Sequence, residues 1–158
     1  GRERLFEHGD ADVRELRRAL RHEYVHAIVA DVTGERGPAW IDEGIAQLIE
    51  GPANPILGPA LRNWIAGNDA LPLSWLEDGF MTLDDELVPV AYAQSLFAAR
   101  TLVNTTGFPA IRQYFTLLGA GLHEELAFAR AFGREKQDFE IQLDRQIRLW
   151  AESGEVDP

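Results

Sequence analysis

The sequence predicts a mainly α-helical chain, and three observations carry that prediction. Apolar residues recur at spacings of three and four through most segments, as helices buried on one side require. No long stretch shows the strict apolar/polar alternation of a half-buried strand. Glycine and proline fall mostly between the periodic segments, where they stop helices.

The elements follow in order. Asp10 or Asp12 is placed to cap a first helix, whose apolar stripe is Val13, Leu16, Leu20, Ala27 and Ile28 and which Thr33 and Gly34 end. After the loop ERGP, Pro38 sits where a first helical turn tolerates it, and AWIDEGIAQLIE forms a second helix stopped by Gly51 and Pro52. Residues 53–59 form a Pro/Gly-rich connector. A short helix through Leu61 and Trp64 comes next, then turns at residues 67–69 and around SWLED, then the acidic, loop-like MTLDDELVP. From Pro89 a long helix runs to Gly107, and Phe108-Pro109 starts another through Leu118, closed by Gly119 and Gly121. Two final helices, near 123–132 and 135–151, are divided by Gly133, and the tail ESGEVDP is expected to fray.

At 158 residues the expectation is a single domain spanning 1–158, large enough to bury a real core. The net charge of −11 argues against nucleic acid as a partner, because a phosphate backbone requires clustered Lys and Arg. Acidic membrane surfaces are disfavoured for the same reason. The absence of cysteine excludes disulfide frameworks, thiol catalysis and Cys-ligated metals. No run reaches the 18 or so apolar residues of a membrane-spanning helix, and the first residues carry no apolar signal-peptide core. The compartment stays open between cytoplasm and the bacterial exterior, since a leader can be removed.

The chemistry concentrates at His22-Glu23-Tyr24-Val25-His26, an HExxH motif on the first predicted helix. At about 100° per residue, positions i and i+4 lie roughly 40° apart around the axis, so both imidazoles face the same way one turn apart. That spacing suits one zinc ion, with Glu23 beside it to take a proton from water. With four histidines in the chain, chance would produce the motif on the order of 0.01 times per sequence. A catalytic zinc wants three protein ligands and one open position. Cysteine is absent and only His8 and His123 remain, which favours an acidic third ligand, and Glu43 is the best candidate. Sixteen residues separate it from His26, enough for a second helix to fold back on the first. Gly44 supports this placement, because a helix-interior glycine is explained by close backbone packing.

HEYVH followed by PAWIDEG resembles the gluzincin metallopeptidases, in which two His of HExxH and a downstream helical Glu hold zinc. More closely, the stretch from about Arg18 to Trp150 is similar to the bacterial peptidase MA-like domain. LRHEYVHAI, PAWIDEGIAQLIEG and VAYAQSLFAARTLV carry the likeness. It implies a zincin-like helical domain: an HExxH helix packed on a Glu-bearing helix, followed by a C-terminal helical bundle. It further implies a Zn2+-dependent hydrolase of peptide or protein substrates, with His22, His26 and Glu43 as metal ligands and Glu23 as general base. Tyr92, in AYAQS, matches the position where gluzincin aminopeptidases place a tyrosine that donates to the transition-state oxyanion; a packed core tyrosine is the other reading of that residue.

Gluzincins place a β-sheet before the HExxH helix, and its edge strand pairs with the peptide. At most a dozen residues precede the helix here, so that sheet is expected to be short or missing, and the chain to be a fragment or a minimal version. A catalytically inactive fold serving as a binding or scaffolding module is the alternative; a metal-free acidic helical domain is a third. Among other residues, Asp42 lies about 100° from Glu43 around the helix and is read as a capping or supporting group. Gln47 and Glu50, one and two turns beyond Glu43, are read either as orienting a ligand imidazole or as a solvated face. His8 and His123 are read as surface residues. Trp40, Trp64, Trp75 and Trp150 are read as core or pocket-wall aromatics.

Overall fold

A computed structural model describes residues 2–155, with side chains described from Asp12 onward; His8 falls outside the described side chains. Six helices and one 3-10 turn make up the fold, and no strand occurs among the described residues. They are α1 (Arg2–Thr33), α2 (Ala39–Glu50), α3 (Leu57–Ile65), the 3-10 turn Leu73–Leu76, α4 (Val88–Gly119), α5 (Glu124–Phe132) and α6 (Lys136–Ser153). The mainly helical class read from the sequence is the observed one.

The helix α2 is the centre of the packing. Trp40, Ile41, Gly44, Ile45, Ala46 and Gln47 are all buried, so it packs on more than one side, against α1 and α4. Gly44 makes the second contact possible: a Cβ there would overlap Ser95 O of α4 and approach Ala99 Cβ to 2.7 Å. The close backbone approach expected at Gly44 is therefore with α4. At the other end of α4, a Cβ on Gly119 would overlap Val32 O, so the end of α1 is pressed against α4 in the same manner. The Arg36 guanidinium adds a 2.7 Å bond to Gly119 O. Behind α2, Trp40 packs on Phe139 and Phe128, with ring centroids 6.3 and 6.5 Å away, joining it to α5 and α6.

Helix α4 is continuous in outline but broken at Gly107, whose φ of 78° and ψ of 166° are not helical. That is the junction expected there, with Pro109 starting the next segment. Gly133 and Gly154 close α5 and α6 in the left-handed conformation that glycine adopts without strain.

Three local expectations are corrected. Helix α1 begins upstream of Asp10 and Asp12, which lie inside it and not at its start. Its proposed stripe is not the packed face: Val13, Leu16, Leu20 and Ile28 are 45–59% exposed, and Val25, Val29 and Thr33 are buried instead. An apolar stripe marks a helix, but its packing partner decides which of two such faces is covered. Trp75, at 58% exposure, lies outside the core, unlike buried Trp40 and Trp150.

Candidate metal centre

The buried Val25 and Val29 fix the rotation of α1, and the residues between and beside them, His22 and His26, then face α2. Their rings lie 4.6 Å apart, edge to face. From α2, Glu43 reaches between them: Oε2 is 3.5 Å from His22 Nε2 and Oε1 is 3.8 Å from His26 Nε2. One ligand atom from each of the three residues lies within 4.8 Å of the others. Their side chains are 20%, 25% and 21% exposed, so the cluster is reachable from solvent.

Each imidazole is engaged at its other nitrogen. His22 Nδ1 bonds Glu50 Oε2 at 3.0 Å. His26 Nδ1 lies 2.9 Å from Asp42 Oδ1, in ion-pair contact. Metal-binding histidines are commonly held in this way, which turns Nε2 toward the ion. Glu50 is itself tied to Arg18 by a 2.8 Å ion pair, and the same guanidinium nitrogen donates to Pro52 O at 3.1 Å.

Both carboxyls of the cluster are shifted upward by burial. Burial pushes the Glu43 carboxyl above the ordinary carboxylate range; His26 and His22 oppose that shift, while the charges of Asp42 and Glu23 add to it. Burial raises Asp42 as well, against the pull of His26 and His22. Glu43 Oε2 is buried without a hydrogen-bond partner although His22 Nε2 stands 3.5 Å from it. A His/His/Glu donor set with an orphaned carboxylate oxygen fits a zinc ion that keeps one position open.

Of the remaining sequence candidates, Glu23 is exposed, and its charge is felt at Glu43. Tyr92 is half-buried on α4, edge-to-face with Phe80 at 4.9 Å. Burial raises its phenol and the Glu43 charge raises it further, so it stays a donor at neutral pH. Tyr92, His22, Gln47 and Glu50 line one cleft of about 780 Å³, walled by Pro52 and Leu57. A second groove, about 820 Å³ and lined by Val29, Ile45, Phe108 and Phe115, holds none of these groups. Gln47 does not orient an imidazole: its amide donates to Glu43 O at 3.2 Å and Tyr92 O at 3.1 Å, bolting α2 to α4 beneath the cluster. His123 is exposed at the start of α5 and outside the cluster. Sequence reasoning missed Arg18. The signal was its spacing, four residues before His22 and eight before His26, on the same line along α1.

A family model for the peptidase MA superfamily matches residues 8–148, and the chain belongs to that superfamily. Its members are typically metal-dependent, in keeping with a cluster that could hold a metal ion. No curated protein and no solved structure matches the chain. No described helix is long and apolar enough to cross a membrane.

Proposed function

We propose that this chain is a zinc-dependent peptidase that hydrolyses amide bonds of peptide or protein substrates. The observation that carries the proposal is the convergence of His22, His26 and Glu43 to within 4.8 Å around a carboxylate oxygen that has no hydrogen-bond partner. Membership of the peptidase MA superfamily supports the choice of substrate class. When bound, zinc supplies Lewis acidity toward the scissile carbonyl and lowers the pKa of a water to about 7.

The protein's own groups supply the remainder. Glu23, on the exposed side of the cluster, accepts a proton from the attacking water and later delivers it to the leaving amine as the C–N bond breaks. Tyr92, kept protonated by burial and by the nearby Glu43 charge, donates a hydrogen bond to the oxyanion that develops on the carbonyl. The cleft bounded by Pro52 and Leu57 takes the peptide beside the His22 edge of the cluster.

The test is a broad peptide-library digest by the zinc-loaded wild type and by Glu23→Gln. Cleavage by the wild type is expected, together with its loss in the variant while zinc is retained, since the amide keeps the shape but accepts no proton at neutral pH. Equal cleavage by both proteins would remove Glu23 as the base. A zinc-loaded wild type that cleaves nothing would leave a binding module in place of an enzyme.

A further inference from the structure

We propose that Arg18 and Glu50 form a positioning pair for His22, aiming its Nε2 at the metal and linking the metal centre to the loop that walls the cleft. This rests on the zinc reading above.

The geometry uses both oxygens of one carboxylate. Glu50 Oε2 meets His22 Nδ1 at 3.0 Å and Oε1 meets Arg18 at 2.8 Å, so both oxygens are engaged, and Glu50 is not among the three residues whose ligand atoms converge. Glu50 is accordingly no fourth ligand. A carboxylate at Nδ1 holds the proton on that nitrogen and leaves the Nε2 lone pair facing Glu43. Arg18 is permanently charged, and its bond to Oε1 together with that of His22 to Oε2 fixes the carboxylate's rotation. Helical spacing makes the arrangement rigid: Arg18 and His22 are one turn apart on α1, and Glu43 and Glu50 two turns apart on α2. The bond from Arg18 to Pro52 O, at 3.1 Å, carries the chain of contacts past the end of α2 into the loop beside the cleft. On the other imidazole, Asp42 has no comparable clamp among the contacts it makes.

The experiment measures zinc dissociation constants by chelator competition for wild type, Glu50→Gln, Arg18→Met and the double variant. Melting of each metal-free protein and the visible spectrum of its cobalt-substituted form are recorded alongside. Glu50→Gln is expected to weaken zinc by about 10- to 100-fold and to shift the cobalt spectrum, with metal-free melting little changed. Arg18→Met is expected to weaken zinc less. The double variant should bind no more weakly than Glu50→Gln alone, because Arg18 acts through Glu50.

Unchanged zinc affinity in Glu50→Gln, with only the melting temperature lowered, would make the pair structural and overturn the proposal. Additive losses in the double variant would overturn the action of Arg18 through Glu50. If Glu50→Gln does not fold, Arg18→Met and Arg18→Lys carry the comparison, with Lys expected to recover only part of the affinity. A folded wild type that binds no zinc overturns the metal-centre reading and this proposal together; zinc lost in Glu43→Ala but not in Glu50→Gln overturns this one alone.

Discussion

Asp42 and Glu43 are neighbours in sequence yet take different partners, because consecutive helical side chains point about 100° apart. Glu43 is directed at the Nε2 edge of both imidazoles, whereas Asp42 lies against Nδ1 of His26 alone. The convergence of His22, His26 and Glu43 was legible in the sequence because i,i+4 spacing and one helical return are local facts. The Arg18 to Glu50 link was not, since it depends on a distance between side chains 32 positions apart. Tyr92 stands between these cases: its spacing placed it on the next long helix, and only the fold brings it to the cleft beside His22. Tyr92→Phe removes one donor and keeps the packing against Phe80. The expected result is a kcat lower by roughly 10²- to 10³-fold with zinc still bound, measured on any peptide the wild type cleaves. An unchanged kcat with a lowered melting temperature would assign the phenol to packing.

At the scale of elements, helix ends were legible because glycine and proline mark them: α2 spans the residues expected, and Gly107 and Gly133 divide the later helices where expected. Faces were less legible. The stripe read on α1 is exposed, because periodicity finds an apolar face without saying what lies opposite. Gly44 was read correctly as a close approach, though the approaching helix is α4. Gly44→Ala must push α2 from α4 and with it Glu43 from the histidines. Calorimetry is expected to show a loss of about 1 to 3 kcal/mol, and chelator competition a weaker zinc site. Further away, Asp144 of α6 accepts from Ala70 N at 2.8 Å and pairs with Arg148 at 2.8 Å, holding the 66–72 segment to α6. Burial raises this carboxyl, but the bonds to Arg148 and Ala70 outweigh it and hold the group below its ordinary 3.8. A depressed folded value stabilises the fold above about 3.8 and the benefit is lost as pH falls through the lower folded value. The melting temperature of Asp144→Asn should therefore lie below wild type at pH 7 and converge on it below that point.

The whole molecule sets an acidic helical scaffold around one reachable cluster. The core of α2, α4, α5 and α6 meets at Trp40, Tyr114, Phe128 and Phe139, which are fully buried, while α1 is held near its C-terminal end and carries the two histidines over α2. Apolar periodicity made the helical class legible, and the family match over residues 8–148 agrees with it. The cleft was not legible, because its walls come from the α2–α3 connector and the start of α4, which no local pattern brings together. The central claim is that His22, His26 and Glu43 hold a metal ion. Its most direct test is zinc stoichiometry by plasma mass spectrometry on wild type, Glu43→Ala and Asp42→Ala, each confirmed folded. One zinc per wild-type chain, most of it lost in Glu43→Ala and retained in Asp42→Ala under the same dialysis, is the predicted result. A folded wild type without zinc, or zinc that survives Glu43→Ala and leaves with Asp42→Ala, would contradict it.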